Sequence, residues 1–483
     1  MSRSIRVIGG GLAGPEAALQ AASFGCEVHL YEMRPHRSTE AHQTADFAEL
    51  VCSNSLKSES ENSAPWALKK EMRQAGSFLL LDADATAVPA GHALAVDRVK
   101  FSARVADRIA SYAGSGPGTI TVHREEVTRL DEDDPDTITI LATGPLTSRA
   151  LTAELTRLTG SDHLAFYDSI SPIVDASTID LSKVYFAARY GKGSADYINC
   201  PFTKEEYNTF LDALTTAEVV PAKPWEQIPE TGVACHSDSG DAALQSAKRS
   251  DPIHYFEGCL PIEETARRGR DTLRFGPMKP AGLDDPRTGR WPYAVVQLRQ
   301  ENLRADSYNL VGFQNHLKYS EQARVLRLIP GLESATFLRY GQIHRNTYIN
   351  APTLLTETLQ LKAHPGILIA GQLSGVEGYT ESIASGLLAG RYAAALAFGT
   401  TPQPAPRGSA NGSLIHYITH SEAKRFQPAN ITFDLLPPLE EDLRRRIRDK
   451  KERHRLQCER ALEAWSQWLT SSAQLTRSVP AAV

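Results

Sequence analysis

The stretch Ile5-Arg6-Val7-Ile8-Gly9-Gly10-Gly11-Leu12-Ala13-Gly14 decides the fold. Residues 5–8 read as a short buried strand, and 9–14 carry glycines at the spacing of a GxGxxG turn. An alanine-rich helix is expected over 12–24, closed by Gly25, a residue suited to the left-handed position after a helix. A second strand, Glu27-Val28-His29-Leu30-Tyr31, leads to Glu32, 18 residues beyond Gly14. Glycines in such a turn let the backbone approach a pyrophosphate, whose charge meets the helix N-terminus. An acid at the end of the second strand can hold an adenosine ribose. Gly9, Gly10, Gly11, Leu12, Ala13, Gly14 and Glu32 are therefore expected to bind a dinucleotide.

Two later segments favour FAD over NAD. Residues 137–141 read as a strand followed by Ala142-Thr143-Gly144. Gly366-Ile367-Leu368-Ile369-Ala370-Gly371-Gln372 is again strand then turn, followed by Gly375-Val376-Glu377-Gly378-Tyr379 and a small-residue helix over 381–397. An early adenosine site and a late strand–glycine–helix element suit the two ends of FAD, so Gly144, Gly371, Gln372, Gly378 and Tyr379 join the expected cofactor residues. The expected fold is α/β, a Rossmann-type (two-dinucleotide-like) FAD-binding domain interrupted by a smaller inserted α+β domain. The FAD domain is expected over 1–197 and 336–400, and the insertion, for RNA or substrate, over 198–335. A linker and charged helix follow over 401–470, then a disordered tail over 471–483.

Over 483 residues, 41% hydrophobic and 23% charged is an ordinary globular composition, which excludes wholesale disorder, collagen and coiled coil. No apolar run approaches a membrane span, and residues 3–11 run straight into strand and glycines without a signal-type segment, so a cytoplasmic location is expected. The net charge of −5 argues weakly against a nucleic-acid partner, but eight Lys and Arg fall within 444–455 as a basic ridge. The six cysteines form no CxxC pair, and no metal site is expected.

Three further clusters could carry chemistry. Cys52 lies in the polar loop Glu49-Leu50-Val51-Cys52-Ser53-Asn54-Ser55-Leu56-Lys57-Ser58, where Ser53, Asn54 and Ser55 could donate to a thiolate and Lys57 could stabilise it. Cys259 sits in the tight turn Gly258-Cys259-Leu260-Pro261, ahead of Arg267, Arg268, Arg270, Arg274, Lys279, Arg287, Arg290 and Arg299 with aromatics interleaved. That mixture suits single-stranded or folded RNA, though a solvated basic surface reads equally well. Residues 339–350 hold two Arg, His344 and two Tyr, able to clamp an anionic aromatic substrate or to form a polar strand pair. Cys26, Cys200, Cys235 and Cys458 read as structural.

Taken together these segments resemble the TrmFO family of folate- and FAD-dependent tRNA (uracil-5-)-methyltransferases. The resemblance rests most on 50–58, 256–263, Phe275-Gly276-Pro277-Met278-Lys279-Pro280, 344–350 and 375–381. The related MnmG flavoproteins are similar at both ends but are not expected to share the Cys259 segment. The resemblance implies an enzyme that forms 5-methyluridine at position 54 of the tRNA T-loop. Its carbon would come from 5,10-methylenetetrahydrofolate, its electrons from NAD(P)H through FAD. It implies Cys259 as the thiol that adds to uracil C6, and Cys52 as a helper in proton or methylene handling. His344, Arg345 and Tyr348 would shape the folate pocket, with Arg345 or Arg339 meeting the polyglutamyl tail. Arg267, Arg268, Arg274, Lys279 and the 444–455 ridge would hold RNA. Alternatives are the same chemistry on 23S rRNA, a non-catalytic RNA-binding flavoprotein subunit, or a small-molecule flavin oxidoreductase. A monomer or homodimer without membrane contact is expected.

Overall fold

The computed structural model describes residues 3–39, 41–114, 118–132, 134–160, 164–191, 194–220 and 260–477, with 164–169, 343–345 and 473–477 described by backbone. Cys235 and Cys259 lie outside the described residues.

The first strand, Ser4–Ile8, sits at the centre of a five-stranded parallel sheet. Glu27–Tyr31 and then Thr119–His123 lie on one side, Thr137–Leu141 and then Ile367–Ile369 on the other. Val7 pairs in register with Leu30 and Ile140, which is why the apolar run of residues 5–8 is needed: central parallel strands are buried on both faces. The chain leaves the first strand at the point where strand order reverses, where ligands bind in such sheets.

The helix Ala13–Ser23 packs against Tyr379–Ala397. A Cβ on Gly386 would stand 2.4 Å from the Ala13 carbonyl oxygen, and one on Gly390 would stand 2.4 Å from that of Ala17. The two helices therefore touch backbone to backbone, which explains the small-residue composition read from the sequence.

A six-stranded sheet with antiparallel pairings forms a second core, in the order Tyr185–Phe186, Ile198–Phe202, Ala294–Gln300, Ser307–Leu310, Ile173–Asp175, Phe337–Arg339. Phe202, Phe210, Leu298 and Phe313 pack there, apart from the cluster of Ile5, Leu30, Phe101 and Trp465 around the parallel sheet. The insertion thus begins ahead of the expected residue 198 and continues past 335. Its first strands are only two and three residues long and carry too little periodicity to announce themselves. Both chain crossings run side by side: Leu164–Ser169 and Ile343–Tyr348 form a two-stranded antiparallel tether, from Ser169 opposite Ile343 to Leu164 opposite Tyr348.

The C-terminal region also departs from expectation. The supposed linker contains the start of the buried helix Ala410–His420, whose first N–H groups donate to the Glu71 carboxylate. The charged helix is broken at 447–449 into Glu441–Arg446 and Lys450–Arg477, and its backbone continues past residue 471. Cys458, Ala461, Trp465 and Trp468 form its buried stripe, and Trp465 Nε1 donates to the Glu71 carbonyl at 2.7 Å. No helix among the described residues is long and apolar enough to cross a membrane.

Candidate active site

The glycine turn is built from close approaches that exclude side chains. Gly9 has φ +117°, and a Cβ there would meet the Ala142 carbonyl oxygen at 2.3 Å; one on Gly14 would meet the Gly9 oxygen at 1.8 Å. Gly11 differs: a Cβ would meet no protein atom within 4 Å, because it would project into a cleft. The helix that follows has no side-chain cap at Leu12, so its first N–H groups face that cleft unpaired by a cap.

Gly9, Gly10, Gly11, Leu12, Ala13, Glu32, Gly144, Gly371, Gln372 and Tyr379, all expected from the sequence, line this cleft of about 1010 Å³, mouth included. Gly14 lies beneath the turn. Gly378 does not line the cleft: a Cβ there would meet Glu381 at 2.6 Å and the Lys57 amine at 2.8 Å, so its role is to clear an ion pair.

Glu32 Oε2 accepts from the Gly10 N–H at 2.7 Å, and Oε1 accepts from Arg34 Nε at 2.8 Å. Burial alone would raise its pKa, but Arg34 and the backbone donors win and hold it below the usual carboxylate range. An ionised carboxylate, an uncapped helix start and the space left by Gly11 fit the adenosine and pyrophosphate of FAD. Arg34, Thr39, His42, Glu49 and the Thr147-Ser148 turn complete the wall. These escaped sequence reading because their spacing follows no motif. His42 is pushed down to about 4, by burial first and then by Arg34, so it is neutral at pH 7.

At the other end, the Tyr379 hydroxyl accepts from the Cys52 N–H at 2.6 Å and the Ser53 N–H at 3.2 Å. Burial, then Cys52, pushes the Tyr379 phenol upward, so it keeps its proton. Of the groups in its own loop expected to support Cys52, Lys57 and Asn54 are committed to other partners. Lys57 pairs with the buried Glu381 at 2.6 Å. Asn54 is fully buried; its amide donates to Val96 at 3.1 Å and Gln300 at 2.9 Å, and its carbonyl accepts from Arg299. Ser53 and Ser55 hydroxyls accept from the backbone of the same turn. Positive charge reaches Cys52 instead from Arg98 and Arg339. Burial would lower Arg98, but Glu301 at 2.6 Å, Tyr379 and Cys52 hold it above its ordinary value.

Of the expected substrate residues, His344 and Arg345 fall on the tether, opposite Asp168 and Tyr167 in register. Tyr348 does not line the cleft: it is buried against Phe426, to whose carbonyl its hydroxyl donates at 3.4 Å. Arg267 and Arg268 are exposed, and Arg267 pairs with Glu264. Arg274 lies 3.7 Å over the Tyr293 ring and pairs with Asp271, so it is partly committed to structure. Lys279 is exposed, whereas Arg299 is buried and unavailable to RNA. Cys26, Cys200 and Cys458 are buried as expected; burial pushes the thiols of Cys26 and Cys458 up to about 12.

The family described as Glucose inhibited division protein A matches residues 4–401. The solved GidA structure of Aquifex aeolicus superposes with a TM-score of 0.64 at 16% identity, covering 99% of this chain and 78% of that one, a likeness of fold. Methylenetetrahydrofolate--tRNA-(uracil-5-)-methyltransferase TrmFO of Koribacter versatilis is 64% identical over 98% of this chain and 99% of its own. The protein of that name from Enterococcus faecalis is 50% identical over 98% and 100%. With the glycine cleft and the Cys52 loop in place, the chain belongs to the TrmFO family, within the wider GidA group.

Proposed function

We propose that the chain transfers the methylene carbon of 5,10-methylenetetrahydrofolate to C5 of uridine 54 in the tRNA T-loop, giving 5-methyluridine with electrons from NAD(P)H. The observation that carries this reading is the direct bond between the flavin-type cleft and a cysteine loop, Tyr379 to the Cys52 N–H. A plain dinucleotide site has no need of that link, and relatives at 50–64% identity are named for this reaction.

FAD, when bound, supplies the hydride that completes the methyl group. Gly9, Gly10, Gly11, Leu12 and Ala13 with Glu32 would hold its adenosine half, and Gly371, Gln372 and Tyr379 its flavin end. Uracil C5 is a poor nucleophile until a thiolate adds at C6 and turns the ring into an enolate. Cys259 is assigned that addition. Cys52 is held by its N–H and faces the positive field of Arg98 and Arg339, a setting that stabilises a sulfur anion and suits a proton acceptor. His344 and Arg345 are assigned to the folate. Arg267, Arg268 and Lys279 on the insertion, with the exposed Arg444, Arg446, Arg448, Lys450 and Lys451, would meet RNA phosphates.

The test supplies unmodified tRNA, NADPH and methylenetetrahydrofolate labelled in its methylene carbon. Label in 5-methyluridine at position 54 is expected. Label found in ribosomal RNA alone, or unlabelled product, would reject the assignment.

A further inference from the structure

Outside the cleft, a carboxylate and two imidazoles converge where the Ala410–His420 helix meets the segment after Ala351–Leu354. His416 and His420 stand four residues apart on one helix face. Their rings stack with centroids 4.2 Å apart. Glu357 Oε1 lies 3.3 Å from His416 Nδ1 and 3.8 Å from His420 Nδ1. The three donor atoms all fall within 4.8 Å of one another, and none of the residues lines the cleft.

The His416 contact is a long hydrogen bond and the His420 contact lies beyond hydrogen-bond reach, N–H···O bonds running at about 2.7–3.2 Å. These distances suit ligands that share an ion. With metal–ligand bonds of about 2.0–2.1 Å at tetrahedral angles, ligand atoms stand about 3.3 Å apart. The His416–Glu357 edge already has that length. The widest edge must close by roughly 1.5 Å, and the two stacked rings must turn until both planes contain the ion, movements open to the torsions of half-exposed side chains. Among the described residues no Lys or Arg pairs with Glu357; its ionic neighbours are the two imidazoles. His420 Nδ1 also lies 3.0 Å from the Thr419 hydroxyl, which donates to the Ile415 carbonyl at 2.8 Å and so can accept from an Nδ1–H, leaving Nε2 of His420 as the nitrogen that would meet an ion. Outer contacts of this kind orient metal-binding histidines.

We propose that Glu357, His416 and His420 bind one divalent transition ion of the zinc type, with water completing the coordination. The residues are about one-third to one-half exposed in their side chains, at 44%, 36% and 49%, so both ion and water have access. Two imidazoles and one carboxylate select late first-row ions over Mg²⁺ or Ca²⁺. The ion would clip the end of the Ala410–His420 helix, whose start Glu71 already holds, to the nucleotide-binding domain.

The experiment titrates ZnCl₂ calorimetrically into tag-free, chelator-stripped, FAD-loaded protein. One saturable site per chain is expected, with no heat from MgCl₂. His416→Ala, His420→Ala and Glu357→Gln should each weaken it about tenfold or more. Flavin absorbance should be unchanged in all three, which shows that the variants are folded. Undiminished zinc uptake by the His416→Ala/His420→Ala double variant, or no saturable binding by the parent chain, overturns the proposal.

Discussion

A valine at Gly11 and a valine at Gly386 should fail in different ways. A Cβ on Gly11 meets nothing in the protein, so Gly11→Val costs the FAD-free fold little, within about 0.5 kcal/mol as for other substitutions without packing consequences. It fills the space assigned to the pyrophosphate. The parent protein at a hundredfold excess of FAD over Kd gains about 2.7 kcal/mol of stability; Gly11→Val should gain none. Gly386 is the reverse case. Its Cβ would stand 2.4, 2.8 and 2.9 Å from the carbonyl oxygen, Cα and carbonyl carbon of Ala13, all backbone atoms that cannot rotate away. The helices must part by roughly 1 Å, and overpacking of this kind costs about 1–3 kcal/mol. Gly386→Val should therefore melt early even without FAD, and bind flavin weakly because the glycine turn lies at the end of the displaced helix. The assay is thermal unfolding of each protein with and without added FAD, alongside flavin content from absorbance. Stoichiometric flavin in Gly11→Val, or a parent-like melting temperature for flavin-free Gly386→Val, would refute this reasoning.

Other consequences are equally open to measurement. Cys259→Ala should lose 5-methyluridine formation by at least about a thousandfold, as loss of a covalent nucleophile does, while retaining flavin; full turnover would remove the nucleophile assignment. Glu263 is buried with Oε1 accepting from the His316 N–H at 2.7 Å and Oε2 unpartnered, and burial raises its pKa to about 7. A carboxyl raised above its unfolded value contributes most below about pH 4.5 and loses that contribution as pH climbs through 7. Glu263→Gln keeps the His316 bond and cannot ionise, so it should exceed the parent at pH 8 by up to about 3 kcal/mol, read from urea unfolding; parallel stability–pH curves would contradict this. Lys279→Ala should weaken tRNA binding and lower the log–log salt slope by about 0.9, one phosphate contact, with an unchanged slope showing that Lys279 stays in solvent.

The nucleotide half of the fold was legible because its signal is local. Glycines at 9, 11 and 14, an apolar strand before them and an acid after the next strand all stand between Ile5 and Glu32 as one continuous pattern, although the close approach at Gly9 comes from Ala142. The cleft residues predicted from them are largely those that line it. What was misread depends on partners distant in sequence. Lys57 reads as a neighbour of Cys52 but is claimed by Glu381, 324 residues on. Asn54 is claimed by Gln300 and Arg299, Tyr348 by Phe426. Gly378 reads as a cofactor glycine because it precedes a helix, yet its constraint comes from an ion pair below it. The start of the insertion was missed because its edge strands are too short for a two-residue period to show.

The paired tether has an architectural corollary. Leu164 and Tyr348 face each other in register, so the points where the polypeptide leaves and re-enters the parallel-sheet domain are neighbours, about 5 Å apart between Cα atoms in an antiparallel pair. A turn of a few residues could close that gap. The excised remainder would keep every strand of the parallel sheet and lose chiefly the partners of Asn54 and Arg98. The inserted module is thus joined covalently to the flavin domain at one paired seam, while Asn54, Asp97 and Arg98 lock the two together across space.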